Sequence, residues 1–146
     1  MGHIRSTHGS LLGRMLAGAA FEPAKMTKAQ AWHMIEPVRC ALQRLLDHVG
    51  NRLDVAIVGM AFNQAWLRCN DLGGRQADQA ILDAACLALA AIDTSDSRPD
   101  PLQGEAREAV LEGINLYDRI LRASSLKAWA AVEDQLVATR EAATPA

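Results

Sequence analysis

The residue types best suited to chemistry are few, and His33 with Glu36 is the most suggestive pair. The two lie three residues apart, so both side chains would face the same point from one turn of a helix. Such a pair contributes to metal sites in helical bundles, but the site needs further ligands on facing helices. No second pair has this spacing, and Pro37 disturbs the backbone next to Glu36. We therefore expect no metal and no cofactor.

Nucleophilic catalysis has still less support. Ser124-Ser125 is well placed to cap a helix. The three cysteines lie among apolar neighbours, where a free Cys behaves as a small hydrophobic residue, and no basic cluster adjoins them. Gly73-Gly74 lacks the following Lys-Ser or Lys-Thr of a phosphate-binding loop. We expect that the protein is not an enzyme.

The composition favours one all-α domain in the cytoplasm. Half of the 146 residues are apolar, mostly Ala and Leu, and only 4% are aromatic, which suits helices better than strands. An odd number of cysteines indicates a reducing compartment. Arg14 interrupts the N-terminal apolar run 11–21, which argues against a secretory signal. No apolar run has the length of a membrane span.

The elements are organised around residues 53–93, which we read as two helices folded back across Gly73-Gly74. From Val55 to Phe62 nearly every residue is apolar or small, so this helix must be covered on more than one side. Its predicted buried stripe is Val55, Val58, Phe62, Ala65 and Cys69. The stripe predicted for the second arm is Ala77, Ile81, Ala84, Ala88 and Ala91, with Leu87 and Leu89 beside it.

A capping box, Thr27-Lys28-Ala29-Gln30, predicts the start of the preceding helix. Pro37 indicates either a kink or two abutting helices, and Gly50 stands where a left-handed cap would end the run. The predicted apolar face is Trp32, Ile35, Val38, Leu42, Leu45, Leu46 and Val49.

Residues 93–101 form the clearest loop, and the run Asp100-Pro101-Leu102-Gln103 predicts a helix that begins at Pro101 and ends near Arg122. Ser124 or Ser125 then caps a last helix, whose predicted face is Leu126, Trp129, Val132 and Leu136, with Val137 at its edge. The expected fold is an irregular antiparallel bundle of about five helices over residues 27–140. A flexible segment, 1–26, precedes it with a short helix after Ser10, and a frayed tail, 141–146, follows.

Two surfaces are candidates for binding. Residues 1–52 carry seven Lys and Arg against three acids, and Arg44, His48 and Arg52 recur every four residues as a basic stripe at a helix end. Cations near a helix C-terminus also interact favourably with the helix dipole, which would explain the stripe without a partner. The helix that follows is too apolar to read DNA bases. The second candidate is the polar cluster near the Gly-Gly turn: Asn63, Gln64, Arg68, Asn70, Asp71 and Arg75.

Partner binding is the function that these features favour. Trp32, Trp66 and Trp129 lie on three different helices, and tryptophan anchors many interfaces, although each also suits its helix's apolar face. We predict a non-enzymatic interaction protein that binds and modulates another protein and forms a homodimer. We expect it to bind no membrane. The alternative is a nucleic-acid-binding regulator that uses the basic N-terminal third. The predicted partner-binding residues are Arg44, His48, Arg52, Asn63, Arg68 and Arg75.

The Ala- and Leu-rich helices around residues 54–92, the Gly-Gly turn and the preference for Arg over Lys resemble small helical proteins of phages and plasmids of high-GC proteobacteria. Most of those proteins have no assigned function. The resemblance covers residues 27–136 and carries over no functional residue. It implies a regulator or inhibitor that acts by binding, including proteins that block host defence systems.

Overall fold

A computed structural model describes residues 24–92 and 102–143. The described residues contain helices and no strand, which confirms the all-α class. The five helices are α1 (Lys28–Leu46), α2 (Arg52–Asp71), α3 (Gln76–Ala90), α4 (Gly104–Arg122) and α5 (Leu126–Ala143). The expectations for the short helix after Ser10, for the loop 93–101 and for residues 144–146 lie outside the described residues.

The predicted capping box begins α1. The Thr27 hydroxyl accepts from the backbone N–H of Gln30 at 3.1 Å, and the Thr27 N–H donates to Oε1 of Gln30 at 3.0 Å. The helix continues through Pro37, so the alternative of two abutting helices is wrong. Because Pro37 has no N–H, the carbonyl of His33 lacks its usual partner four residues on.

The turn between α1 and α2 differs from the prediction. The left-handed residue is His48, with φ 63°, and not Gly50. Gly50 is needed instead for a close approach, since a Cβ there would lie 2.6 Å from Cδ2 of Leu45. Val49, which was assigned to the apolar face of α1, is 60% exposed in this turn.

The α2–α3 hairpin is as predicted. Gly73 and Gly74 have φ angles of 105° and 62°, which glycine adopts without the strain of a side chain. Along α2, Val58, Phe62 and Ala65 are completely buried. This helix therefore lies at the centre of the bundle, with α1, α3, α4 and α5 packed against it.

The stripe predicted for α3 is wrong in part: Ile81 and Ala88 are partly buried against the core, but Ala77, Ala84 and Ala91 are exposed. Leu82, Ala85 and Leu89 are buried, whereas Ala84 is exposed and Leu87 is 71% exposed. Since apolar residues lie on most sides of α3, periodicity does not select its inner face. The observed face buries two leucines rather than a row of alanines, and leucine removes more apolar area from water.

α4 begins at Gly104 with Gln103 as its N-cap, three residues later than predicted, and ends at Arg122 as predicted. Leu102 is buried ahead of the helix. α4 then crosses α3 at Gly113, which is buried against Ala85 and Phe62. The close approach of α3 and α4 therefore depends on a glycine of α4 as well as on an alanine of α3.

Ser125 caps α5, because its hydroxyl accepts from the N–H of Ala128 at 3.1 Å. Trp129 and Val132 form the buried face of this helix, while Leu126 and Val137 are 45% and 53% exposed. Among the helices of residues 24–92 and 102–143, none combines the length and apolarity that crossing a bilayer requires.

Candidate functional site

An open groove of about 460 Å³ lies over α2, between α1 and α5. Both flanking helices pack on α2 but have little contact with each other, so a strip of the α2 surface stays open between them. The lining residues are His33, Met34, Pro37 and Val38 from α1; Ala56, Ile57, Met60, Ala61 and Gln64 from α2; Tyr117 from α4; and Trp129 and Glu133 from α5.

The floor of the groove is apolar because α2 has no polar face there. Ile57 and Met60 are half-buried and Ala56 is exposed, while Val58 and Phe62 point into the core. The sequence contained this signal, since the run from Val55 to Phe62 needs cover on more than one side. It gave no indication of which side would remain open.

The groove is lined by Trp129, whose indole Nε1 is buried and has no acceptor among the described residues. Trp66 likewise has a buried Nε1 without an acceptor, but it does not line the groove. A buried donor without an acceptor costs stability. Pro37 removes the helical donor of the His33 carbonyl, but His33 is exposed, so water can bind this carbonyl.

Tyr117 of α4 also lines the groove. Its ring meets that of Trp129 edge to face, with centroids 5.8 Å apart at 68°. Burial, and then the charges of Asp118 and Glu133, raise the pKa of Tyr117 to about 12. The phenol is therefore neutral near pH 7, and its hydroxyl lies 3.5 Å from the carbonyl of Met34.

The predicted basic stripe is not a continuous helix face. Arg44 belongs to α1, His48 to the following turn and Arg52 to the start of α2. Nε and Nη2 of Arg44 donate to Oδ1 of Asp54 at 2.9 and 2.7 Å. Arg44 is thus engaged within the bundle, while His48 and Arg52 are exposed.

The carboxylate that Arg44 binds is itself part of a helix cap. Asp54 is buried, and its Oδ2 accepts from the N–H of Asn51 at 3.0 Å, while Asn51 Oδ1 accepts from the N–H of Asp54 at 3.1 Å. The hydrogen bond from Arg44 lowers the pKa of Asp54, against the opposing effect of desolvation. This arrangement explains Arg44 as a residue that stabilises the α1–α2 turn.

The predicted polar cluster near the Gly-Gly turn is dispersed. Nε of Arg68 donates to the buried hydroxyl of Ser124 at 2.9 Å, which ties α2 to the start of α5. Gln64 lines the groove, whereas Asn63 lies in a smaller cleft of about 240 Å³ between α2 and α3, with its Oδ1 4.0 Å from Sγ of Cys86. The residues left at the turn, all exposed, are Asn70, Asp71 and Arg75.

The candidate metal pair is divided as well. His33 lines the groove, but Glu36 is not among the lining residues. Within residues 24–92 and 102–143, no group of three or more His, Cys, Asp or Glu side chains is arranged to hold a metal ion.

The free cysteines range from exposed Cys40 to buried Cys69. Trp32, assigned to the apolar face of α1, is 49% exposed.

The chain matches no family model, no curated protein and no solved structure. A functional interpretation therefore depends on the groove itself. What the groove can do chemically is bind an apolar surface with a few polar anchors, since its lining combines Met, Ile, Val and Ala with His33, Gln64 and Glu133.

Proposed function

We propose that this protein is a non-enzymatic binding module, and that the groove between α1 and α5 binds an amphipathic helix of a partner protein. The observation that supports this is the apolar floor of α2, where Ile57 and Met60 are only half-buried between two flanking helices. Laying the apolar face of a helix into such a groove is a common mode of peptide recognition.

The length of the floor fits two turns of helix. Ala56 and Gln64 are eight residues apart on α2, a distance of about 12 Å along the helix axis. A bound helix would present apolar residues at positions i, i+3 or i+4, and i+7 to this floor.

The charge of the groove narrows the partner further. Among the lining residues that the structure describes, Glu133 is the only Asp, Glu, Lys or Arg. A Lys or Arg beside the apolar row of the partner would therefore be favoured.

Two arginines of the basic N-terminal third are already paired with carboxylates, which favours the protein-binding proposal over the nucleic-acid alternative. Arg44 is paired with the buried Asp54, and both Arg39 and Arg122 lie 2.8 Å from the Asp118 carboxylate. Arginines that are already paired with carboxylates contribute less to phosphate binding. Inhibition of a host protein, including a defence protein, is one outcome that helix binding would have.

The test uses a displayed library of amphipathic helical peptides selected on the full chain. Enriched peptides should share an apolar row with a basic residue beside it, and should bind at least tenfold more weakly to Ala56→Arg. The matched control is Ala84→Arg, the same change on an exposed alanine of α3, which should leave binding within twofold. Both variants first need the native far-UV circular dichroism spectrum and an unchanged unfolding transition.

Two results would overturn the proposal. One is a selection without enrichment, or with peptides that bind Ala56→Arg and the native chain equally. The other is a native dimer that Ala56→Arg converts to a monomer in light scattering, because the groove would then hold a second copy of this chain.

A further inference from the structure

We infer that the binding site continues one turn beyond the groove, to Leu53 and Arg52 at the start of α2, and that the partner helix carries an acidic residue for Arg52. This inference rests on the proposed function, since it takes the groove to be a helix-binding site. It adds one apolar anchor to the site and a second charge that selects the partner.

Leu53 extends the apolar floor of the groove. Ile57 and Gln64, which line the groove, follow Leu53 by four and eleven residues, so the three side chains lie in one row along α2. Met60, seven residues after Leu53, belongs to the same row. With Leu53 the floor is about 17 Å long, which accommodates about three turns of a bound helix.

The side chain of Leu53 is open to a partner. It is 66% exposed, whereas Ile57 and Met60 are half-buried, and Ala56 beside it is exposed as well. Burial of a leucine side chain removes apolar area from water. Contact with this turn of α2 should therefore strengthen the binding of a helix that already lies in the groove.

Arg52 lies at the edge of the same row and is available for an ion pair. It precedes Ala56 by about one helical turn, so both side chains leave α2 on the same side. Arg52 is exposed, and among the described residues it forms no ion pair or side-chain hydrogen bond. Arg44, by contrast, is held by Asp54 at 2.7 Å. Arg52 is therefore a cation that the carboxylate of a partner can bind.

Asp47, an acid in the turn before α2, is held away from the groove. Its Oδ1 accepts a hydrogen bond from Nε2 of Gln43 at 3.0 Å. Gln43 lies nine residues after Met34, a groove residue of α1, so these two side chains point to opposite sides of that helix. The Asp47 carboxylate thus lies on the side of α1 that faces away from the groove, and it is not paired with Arg52.

The positions of Arg52 and Glu133 determine the spacing of the partner's charges. Nε of Arg68, near the end of α2, donates to the hydroxyl of Ser124, and α5 runs from there back along α2. Measured along the helices from this contact, Glu133 lies at about 13 Å and Arg52 at about 24 Å. The two charges are therefore separated by about 10 Å, so the acid and the base of the partner should be about two helical turns apart.

Parallel selections of displayed amphipathic peptides on full-length variants test the second charge. Peptides enriched on the native chain should carry an acid about two turns from their base. On Arg52→Glu this acid should be replaced by a base, while the base that Glu133 favours remains. The matched control is Arg75→Glu, the same change at an exposed arginine beyond the other end of α2, which should leave the selected acid in place. Peptides without an acid preference, or with one that Arg52→Glu does not change, would overturn the inference.

The affinity of the most enriched peptide tests the added anchor. Leu53→Ala should weaken its binding about fivefold or more, because less apolar area is buried. Leu87→Ala, the same change at a leucine of α3 that is 71% exposed, should leave the affinity unchanged. Both variants need the native far-UV circular dichroism spectrum, and equal binding by Leu53→Ala and the native chain would refute the extension.

The same peptides separate this inference from the proposed function. Binding that Ala56→Arg weakens, but that depends on neither Leu53 nor Arg52, would refute the extension and leave the proposed function standing. Binding that depends on Leu53 and Arg52, but that Ala56→Arg does not weaken, would refute the groove and leave a peptide site at the start of α2. A selection without enrichment would refute both.

Discussion

The crossing of α3 and α4 gives the sharpest test of the fold, because the same substitution at two helical glycines should have opposite effects. Gly113 and Gly59 both lie inside helices. Replacing a helical glycine by alanine gains about 1 kcal/mol in backbone propensity. At Gly59 the nearest atom to a new Cβ is Cδ1 of Leu89 at 3.9 Å, an ordinary contact. Gly59→Ala should therefore stabilise the protein by about 1 kcal/mol.

At Gly113 the same Cβ has no room. It would lie 2.6 Å from Cβ of Ala85 and 3.0 Å from Cε1 of Phe62, both fully buried. Carbon atoms pack at about 3.5 to 4.0 Å, so α3 and α4 would have to separate by about 1 Å. Overpacking of this kind costs about 1 to 3 kcal/mol, which outweighs the gain in propensity. The expected net effect of Gly113→Ala is a destabilisation of about 1 kcal/mol, the middle of that range less the propensity gain.

Urea unfolding followed by far-UV circular dichroism measures both changes, with the slope of the transition unchanged between variants. Ala85→Gly removes the atom that a Cβ at position 113 would meet first. The double variant Gly113→Ala/Ala85→Gly should therefore lose about 1 kcal/mol less unfolding free energy than the two single variants lose together. A Gly113→Ala protein as stable as the native one would refute the close crossing. Strict additivity would refute the assignment of Ala85 as the opposing residue.

Two further predictions concern ionisation. Tyr117, the only tyrosine, has a pKa raised to about 12, above its ordinary value of 10.0. Its contribution to the free energy of unfolding should therefore be fully present below pH 10, and stability should fall by about 2 to 3 kcal/mol as the pH rises to 12. Absorbance at 295 nm should show no tyrosinate before pH 11 in the folded protein, and Tyr117→Phe should lack the alkaline loss; an ordinary titration midpoint would contradict the burial. Arg44→Ala should destabilise the protein more than Arg52→Ala, because it leaves the carboxylate of Asp54 buried without its cation. Since the pKa of Asp54 is lowered from 3.8, this difference should shrink as the pH falls below that value, and equal stabilities of the two variants at pH 7 would contradict the role of Arg44.

The helix boundaries were predictable where a local signal determines them. The capping box at Thr27 and the Gly73-Gly74 turn act through hydrogen bonds and backbone angles within a few residues, so the sequence contains all that is needed. The end of α4 at Arg122 was predictable for a similar reason, because Ser124-Ser125 follows it. The start of α4 was not, since Leu102 is drawn into the core before the helix begins.

The packing faces were less predictable because they depend on the neighbouring helices. On α3, alanines and leucines lie on several sides of the helix, and the close approach of Gly113 to Ala85 is a contact that the sequence of α3 does not show. The candidate surfaces failed for a related reason. Arg44 and Arg68 looked like free surface cations in the sequence, but each has a partner on another element, Asp54 and Ser124 respectively.

The groove follows from the way the helices pack on α2. Both α1 and α5 pack on α2 but have little contact with each other, so the strip of α2 between them has no covering helix among the described residues. Ile57 and Met60 in that strip are only half-buried, whereas Val58 and Phe62 on the core side of α2 are completely buried. Of the described lining residues, Glu133 alone carries a full charge at neutral pH, so the apolar floor would accept many helices and this acid would favour those with a base beside their apolar row.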